Sequence, residues 1–301
     1  MKTQHVPVLV REVVAALEPR PGGAYLDGTV GGGGHAEAIL EAAGPPSRLV
    51  GIDRDAEAIT VARDRLRRFG DRVQLVRGDF REIPQLVSAL QMERFDGVLF
   101  DLGVSSLQLD DPSRGLSFSM EGPLDMRMNR ESGTLTAREL LHTLPEENLT
   151  RIIREYGEER WARQIARGIV TARRQGSLET TRDLAAVVAR AIPRRFWPRR
   201  IHPATRTFQA IRIAVNQELE GLEEALEGAI GLLKPGGRIG VIAFHSLEDR
   251  VVKHLFRRLA APGAVPGVTI VTRRPVTPSP EERAQNPRAR SAKLRAAERG
   301  I

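Results

Sequence analysis

The sequence contains no cysteine, which excludes several kinds of site at once. There is no disulfide framework, no thiolate zinc site and no cysteine nucleophile. The six histidines lack the spacing of metal ligands, so no metal site is predicted. No stretch approaches the ~20 apolar residues that cross a bilayer, and the N-terminus lacks the apolar core of a signal peptide. We therefore expect a soluble, cytoplasmic protein with no membrane partner.

Lysine is scarce beside arginine, and basic residues exceed acidic ones. The 46 Lys and Arg against 38 Asp and Glu give a net charge of +8. This excess is compatible with an anionic partner but does not establish one, because local clustering matters more than the total. With 301 residues, 41% of them hydrophobic, the chain can bury one large core or two modest ones.

Residues 27–35, which read DGTVGGGGH, organise the first part of the chain. An apolar run precedes this segment and a run with helical spacing follows it. Strand, glycine loop and helix form the unit that lets a backbone approach a nucleotide closely. Each glycine would cost about 1 kcal/mol inside a helix, so four in a row belong in a loop. A flexible linker is the alternative, but linkers are seldom framed by a strand and an amphipathic helix.

Two acidic residues bear on the identity of the nucleotide. The glycines match the fingerprint G-x-G-x-x-G/A, which is a weak signal by itself. Asp27 precedes the glycines, where a carboxylate would meet a ligand ammonium and repel a pyrophosphate. Asp53 ends the next predicted strand and is placed to accept hydrogen bonds from ribose hydroxyls. NAD and S-adenosylmethionine (SAM) share the second feature, so the preference for SAM depends on Asp27.

Short apolar strands alternate with helices through the first hundred residues, which predicts a parallel, doubly wound α/β sheet. Ligands bind such sheets beyond the carboxyl ends of the strands, where Asp53, Asp79, Phe80 and Asp101 fall. Asp79 and Phe80 are placed to bracket an adenine, although a phenylalanine of the core explains Phe80 equally well. The predicted strands cover 24–26, 48–52, 73–76, 95–100 and 239–244, and the predicted helices 10–17, 36–43, 56–69 and 222–233.

The alternation stops after Asp101 and resumes only near residue 222. A crossover needs a dozen or more residues plus short loops, so about a hundred are surplus. Capping-box patterns begin at Thr136 and Thr180, Pro145 suits a first helical position, and apolar residues repeat with helical period. We expect a helical substrate-recognition domain over 109–212, at the rim of the active site. It would interrupt a SAM-binding domain made of 1–108 and 213–301.

Two segments are strongly basic. Residues 194–200 read RRFWPRR, and arginine beside stackable rings is typical of contacts with RNA backbone and unpaired bases. A solvated loop with Trp197 anchored in the core is the alternative. Residues 273–301 carry eight Lys or Arg against three Glu and predict an extended basic tail, ordered mainly by docking or by nucleic acid. The candidate RNA contacts are Arg194, Arg195, Trp197, Arg199, Arg200, His202 and Arg206.

Several motifs resemble one family, the bacterial small-subunit ribosomal RNA cytosine-N4 methyltransferases, also called RsmH or MraW. The resemblance covers nearly the whole chain. It departs from the usual pattern at Leu107, where many members have proline, and at Leu116, where phenylalanine is usual. The motifs are GGH at 33–35, DLGVSSLQLDD at 101–111, RGLSFS at 114–119, GPLDMRM at 122–128, YGEER at 156–160, HPATRTFQAIR at 202–212, FHSLEDR at 244–250 and NPRARSAKLR at 286–295.

The resemblance implies a Rossmann-like class I SAM-dependent methyltransferase sheet with an inserted all-helical subdomain. It also implies methylation of the exocyclic amine of one cytidine in the decoding region of 16S rRNA. The RNA would be methylated within an assembled or assembling 30S subunit. The family's contacts with S-adenosyl-L-methionine carry over onto Gly33, Gly34, His35, Asp53, Phe80, Asp101 and Gln108.

The chemistry of the residues agrees with that reaction. Methylation of pyrimidine carbon 5 usually needs a cysteine nucleophile, whereas an exocyclic amine attacks the sulfonium methyl in line. Asp101, after the fourth strand, is the best-placed proton acceptor. The usual amino-methyltransferase signature is absent there, so the alternative is that Asp101 only binds SAM. His245 and Asp249, after the fifth strand, are further candidates, with a structural histidine and a helix-start ion pair as their alternatives.

Two other classes of function stay open from the sequence. A nicotinamide-dependent oxidoreductase uses the same kind of fold. An RNA-binding assembly factor could retain SAM without turnover.

Overall fold

The computed structural model describes residues 7–90, 94–131 and 133–300. The chain divides into two compact units. The sheet unit comprises 1–103 and 219–301, and the helical unit comprises 104–218. The boundaries expected from the sequence, 109 and 212, lie a few residues inside the helical unit. In the described ranges, no helix is both long enough and apolar enough to cross a membrane.

The sheet has seven strands in the order β3-β2-β1-β4-β5-β7-β6. Strands β1 to β5 run parallel to one another, which confirms the predicted doubly wound sheet. Strand β7 runs antiparallel between β5 and β6. The strands are β1 (Ala24–Asp27), β2 (Arg48–Asp53), β3 (Val73–Arg77), β4 (Phe95–Asp101), β5 (Leu233–Ala243), β6 (Val268–Ile270) and β7 (Lys293–Arg299).

Thirteen α-helices lie in the described residues. Those of the sheet unit are α1 (Val10–Leu17), α2 (Gly34–Ala43), α3 (Ala56–Leu66), α4 (Ile83–Ala89), α11 (Leu222–Gly231), α12 (Ser246–Leu259) and α13 (Pro280–Gln285). Those of the helical unit are α5 (Ser106–Asp110), α6 (Ala137–Thr143), α7 (Glu146–Gly157), α8 (Ala162–Arg174), α9 (Thr181–Ala191) and α10 (Thr205–Asn216).

Both faces of the sheet are covered by helices, because consecutive strand residues point to opposite faces. Tyr25 packs with buried residues of α1, α2 and α3, whereas Leu26 packs with those of α4, α11 and α12. Leu99 and Val98 of β4 divide in the same way between the two layers. The continuous apolar strands that the sequence shows are therefore explained by burial on both sides.

The basic segment expected over 273–301 does not project as a tail; of the two means of ordering that the sequence left open, docking applies, because the segment joins the sheet. Strand β7 pairs with β5 and β6, and its Leu294, opposite Ile242 of β5, is fully buried. Its charged side chains find partners inside the fold: Arg295 pairs with Asp249 at 2.6 Å, and Glu298 pairs with Arg238 at 2.8 Å. The local composition did not indicate these charged partners, because they lie far away in the sequence.

The helical unit has its own apolar core, built around residues such as Leu149, Ile165 and Phe208. Both predicted capping boxes are confirmed: the Thr136 and Thr180 hydroxyls accept hydrogen bonds from the amides three residues on, at 3.1 and 3.2 Å. Pro145 stands one residue before the first turn of α7. Helices α7 and α10 approach closely at Gly157, where an added Cβ would lie 2.8 Å from the carbonyl oxygen of Arg206.

Candidate active site

The glycine loop joins β1 to α2 and depends on two left-handed residues. Gly31 and Gly33 have φ of +50° and +79°, a region that side chains disfavour. At Gly33, an added Cβ would also lie 3.3 Å from the Ala62 Cα of α3. The sequence prediction explained these glycines by approach to a ligand. The structure adds that Gly33 lets the start of α2 pack against α3.

Asp53 ties the glycine loop to the end of β2. Its Oδ2 accepts the Gly31 N–H at 2.9 Å, and its Oδ1 accepts the Asp55 N–H at 2.8 Å. Burial raises the pKa of Asp53, while these backbone hydrogen bonds oppose the rise. Each carboxylate oxygen keeps a second lone pair for a ligand. Asp53 is thus both a candidate ligand acceptor and a support for the loop, and the second role was not predicted.

Asp27 and Asp101 end neighbouring strands and are linked by Thr29. The Asp27 Oδ1 accepts the Thr29 N–H at 3.2 Å, and the Thr29 hydroxyl oxygen accepts the Asp101 N–H at 2.6 Å. Asp27 is only 1% exposed, and this burial raises its pKa to about 7, against the opposing influence of His35. Thr29 was missed from the sequence, although it stands inside the glycine motif.

Asp101 presents an acceptor with no donor. Its side chain is 24% exposed, but Oδ1 is buried and has no hydrogen-bond partner within the described chain. Burial raises the pKa of Asp101 to about 7, and the nearby charge of Glu248 acts in the same direction. A buried acceptor without a donor is costly unless a ligand or water satisfies it. Asp101 is therefore the strongest candidate for contact with a bound molecule.

The His35 ring lies inside the protein. Its Nε2 is 2.8 Å from the Val8 carbonyl oxygen, and its Nδ1 is 3.5 Å from the Asp101 Oδ2. A carbonyl can only accept, so Nε2 carries the hydrogen. Glu282 holds this segment by accepting the Leu9 N–H at 2.7 Å. The side chain of His35, a predicted cofactor residue, thus supports Asp101. The backbone amides of Gly34 and His35 lie in the first turn of α2, where N–H groups lack intrahelical acceptors.

Asp79 and Phe80 follow β3, as predicted, but both already have protein partners. Asp79 accepts two hydrogen bonds of 2.8 Å from the Arg81 guanidinium, and Arg54 lies 3.8 Å away. Burial opposes ionisation of Asp79, but the Arg81 bonds outweigh it and lower its pKa. The Phe80 ring packs edge-on against Phe100, with centroids 6.4 Å apart. Phe80 therefore belongs partly to the core and is only half-buried.

His245 and Asp249 lie at the start of α12, and each makes a structural contact. His245 caps the helix: its Nδ1 accepts the Glu248 N–H at 3.3 Å, and the Glu248 carboxylate accepts the Phe244 N–H at 2.9 Å. Asp249 is bonded to Arg295 and lies 3.2 Å from the Lys293 ammonium. Burial opposes ionisation of Asp249, but these cations prevail and lower its pKa. The sequence predicted neither the Glu248 partner of His245 nor the cationic partners of Asp249. These contacts engage the His245 Nδ1 and the Asp249 carboxylate, the atoms with which the two side chains would accept a proton.

The remaining site residues belong to the helical unit. Gln108 caps α5 in a reciprocal pair with Ser105 and is buried. The Trp197 indole N–H donates to the Ile192 carbonyl oxygen at 2.9 Å and its ring packs against the helical core. The His202 ring packs on Phe118 with centroids 4.8 Å apart. Arg206 bonds the Glu158 carbonyl at 3.3 Å, and the exposed residues Arg194, Arg195, Arg199 and Arg200 complete the predicted RNA set.

The site fits S-adenosylmethionine, which carries an ammonium and a sulfonium. Three carboxyl groups, Asp27, Asp53 and Asp101, gather where β1, β2 and β4 end, and burial raises the pKa of each. An arriving cation would favour their ionised forms, whereas a pyrophosphate would be repelled. The Asp101 Oδ1 adds a buried acceptor that has no hydrogen-bond partner within the described residues. Fold and site together define a Rossmann-like, SAM-dependent methyltransferase.

The chain belongs to the MraW methylase family, whose profile matches residues 2–300. It is 54% identical over 309 residues to a protein of Pelobacter propionicus named "Ribosomal RNA small subunit methyltransferase H", covering 98% of each chain. A protein of Geobacter sulfurreducens with the same name is 54% identical over 314 residues, covering 99% of this chain and 100% of the other. A solved structure titled as a putative rRNA-methylase from Clostridium thermocellum aligns with a TM-score of 0.47 at 13% identity, covering 99% of this chain and 98% of the other. A structural likeness of that size adds nothing about function.

Proposed function

We propose that the protein transfers a methyl group from SAM to the exocyclic N4 of one cytidine in the decoding region of 16S rRNA. The substrate is an assembled or assembling small subunit in the cytoplasm. Relatives at 54% identity carry names that state small-subunit rRNA methylation, which supports the RNA substrate. The observation that carries the chemistry is the buried, unpartnered Oδ1 of Asp101 at the end of β4.

Methylation of the cytosine amine requires the protein to orient the amine and to accept its proton. Bound SAM supplies an electrophilic methyl group on its sulfonium. The lone pair of the cytosine amine is delocalised into the ring, so a hydrogen-bond acceptor that favours pyramidal nitrogen assists the attack. The Asp101 Oδ1 provides that acceptor and takes the amine proton as the new bond forms. Its pKa of about 7 suits proton acceptance near neutral pH.

The rest of the sheet unit would hold the cofactor. Asp27 and Asp53 face its cationic and ribose groups, and the first-turn amides of Gly34 and His35 offer donors at the helix start. The His35 ring acts through Asp101, which it holds in place. Gly33, Asp79, Phe80 and Gln108 complete the proposed cofactor set. His245 and Asp249 are left out of the proton transfer because helix capping and ion pairing already occupy them.

The helical unit would recognise the RNA. Its 115 residues contain nineteen arginines and no lysine, against fourteen Asp and Glu. More than half of the net charge of +8 is thus carried by little more than a third of the chain. Arginine concentrated in this way favours contact with phosphates and unpaired bases.

Methyl transfer from labelled SAM to isolated small subunits tests this function. We expect label in the 16S rRNA of subunits that lack the modification, and none in large subunits. Binding of SAM without any transfer would instead support an assembly factor and would contradict the proposal. Asp101→Asn is the matched control, because it preserves shape and should bind subunits normally while losing most of the transfer.

A further inference from the structure

The arginines of the helical unit fall into two groups. Many face acidic partners: Arg138 lies 2.8 Å from Glu179, for example, and Arg182 lies 3.1 Å from Glu121. Arg160 and Arg195 are exposed, and in the described ranges neither lies within 4.0 Å of a carboxylate. The described part of the protein therefore supplies no carboxylate to these two guanidinium groups, and both remain available to an anionic ligand.

These two arginines converge on one exposed aromatic ring. The guanidinium carbons of Arg160 and Arg195 each lie 4.9 Å from the centroid of Phe196, which is 37% exposed. The Trp161 ring lies 5.2 Å from the same centroid and 5.7 Å from the Arg160 guanidinium. We call Arg160, Trp161, Arg195 and Phe196 the Phe196 cluster. It joins the segment before α8 to the segment after α9.

We propose that the Phe196 cluster binds an unpaired nucleotide of the RNA substrate together with its phosphate. This inference rests on the proposed function and goes beyond it. A guanidinium that stacks on a ring keeps its in-plane N–H donors, which suit a phosphate. An exposed aromatic ring between such donors offers a face or edge to a base without reading its sequence.

The Phe196 cluster also moves the expected stacking contact with RNA from Trp197 to Phe196. Trp197 was the expected stacking residue, but its indole N–H is bonded to the Ile192 carbonyl and its ring packs against the core. Arg194 covers it, with the guanidinium carbon 5.6 Å from the ring. Trp197 thus anchors the segment, while its neighbour Phe196 is directed outward. Arg160 belongs to the motif YGEER, far from RRFWPRR in sequence, so only the fold brings the two together.

Intrinsic fluorescence gives a direct test. Both tryptophans of the chain, Trp161 and Trp197, lie at or beside the Phe196 cluster. A twelve-nucleotide oligouridylate should quench this fluorescence in the full-length protein. Phe196→Ala should weaken the binding by about tenfold, as expected for loss of one stacked base. Phe196→Tyr should retain most of it.

Charge variants separate the phosphate contact from general attraction. Arg160→Ala and Arg195→Ala should each reduce the slope of log affinity against log salt by about 0.7, the value for one phosphate of a single strand. Arg182→Ala removes an arginine that is also exposed but is paired with an acid, and should leave the slope unchanged. Equal slopes for all three variants would overturn the proposal. So would quenching by polyglutamate and not by oligouridylate, since that result would indicate a protein partner.

Methylation kinetics connect the cluster to the substrate. With small subunits, Phe196→Ala should raise the KM for the subunit while kcat and SAM affinity stay at wild-type values. A variant that merely damages folding would also lose thermal stability and SAM affinity. If the wild type methylates subunits but Phe196→Ala has an unchanged KM, the proposed site is wrong and the function stands. If the wild type transfers no methyl group, the function fails instead.

Discussion

The His35 Nδ1 lies 3.5 Å from the Asp101 Oδ2, so a single proton can lie between the two groups. Burial lowers the pKa of His35, so its ring is neutral, and its hydrogen is on Nε2 toward the Val8 carbonyl. Nδ1 is then an acceptor, which fits a protonated Asp101 in the free protein. Ionisation of Asp101 therefore requires the loss of a proton from this pair.

Cofactor affinity should rise with pH between about 5.5 and 7.5. The pKa values of Asp101 and Asp27 are about 7 in the free protein, and a bound cation favours their ionised forms. Below about pH 7, SAM binding must release protons from these carboxyl groups, and each proton released changes the affinity by up to tenfold per pH unit. Calorimetry in buffers of different ionisation enthalpy measures the release. Asp101→Asn should release fewer protons, and an identical release would refute the assignment.

The stability of the free protein should show the opposite trend. The ordinary pKa of an aspartate is 3.8, so the folded protein holds protons on Asp27 and Asp101 that the unfolded chain has lost. Their contribution to stability is complete below pH 4 and is lost as the pH rises through about 7. Denaturant unfolding of the wild type and of Asp27→Asn, compared at pH 5 and pH 8, measures this contribution. The variant should lose less stability over that range.

Asp53→Ala should weaken SAM binding by roughly tenfold or more, because a charged acceptor contributes ~1.5–3 kcal/mol. The variant should also lose stability, since Gly31 loses the acceptor of its N–H. Asp55→Ala is the control: Asp55 caps α3 by accepting the Glu57 N–H at 3.1 Å, and loss of a cap costs about 1 kcal/mol. Asp55→Ala should be less stable yet bind SAM normally. Equal SAM affinity in both variants would remove Asp53 from the site.

Asp249→Ala should reduce the free energy of unfolding by ~1.5–3 kcal/mol, because Arg295 and Lys293 lose a charged partner. The pKa of Asp249 is lowered in the folded protein, so its contribution is present above the ordinary pKa of 3.8 and lost at lower pH. The difference from wild type should therefore shrink in acid. At pH 7, kcat should stay near the wild-type value. A variant that folds with wild-type stability but has no methyltransferase activity would indicate that Asp249 is the proton acceptor.

The parallel part of the fold was predictable because apolar runs and turn residues are local signals. Strands β1 to β4, the second half of β5 and the ends where Asp53 and Asp101 stand follow from them directly, whereas residues 233–238, which read as a helix end and a turn, also belong to β5. Strand β7 was not predictable, because its basic residues are accommodated at the sheet only by pairing with distant acids such as Asp249. The same limit applies to the site: the sequence indicated its carboxylates, but the contact of His35 with Val8 and the meeting of Arg160 with Phe196 depend on tertiary packing.

The most direct test of the central claim is single-turnover methylation with labelled SAM, followed by digestion of the rRNA to nucleosides. With cofactor and small subunits both saturating, binding defects are hidden and only the transfer is measured. We predict label in N4-methylcytidine, and a rate about 10²-fold or more lower for Asp101→Asn. His245→Ala should have a smaller effect, through the loss of its cap. Label in another nucleoside, or normal turnover by Asp101→Asn with an inactive His245→Ala or Asp249→Asn, would contradict the account.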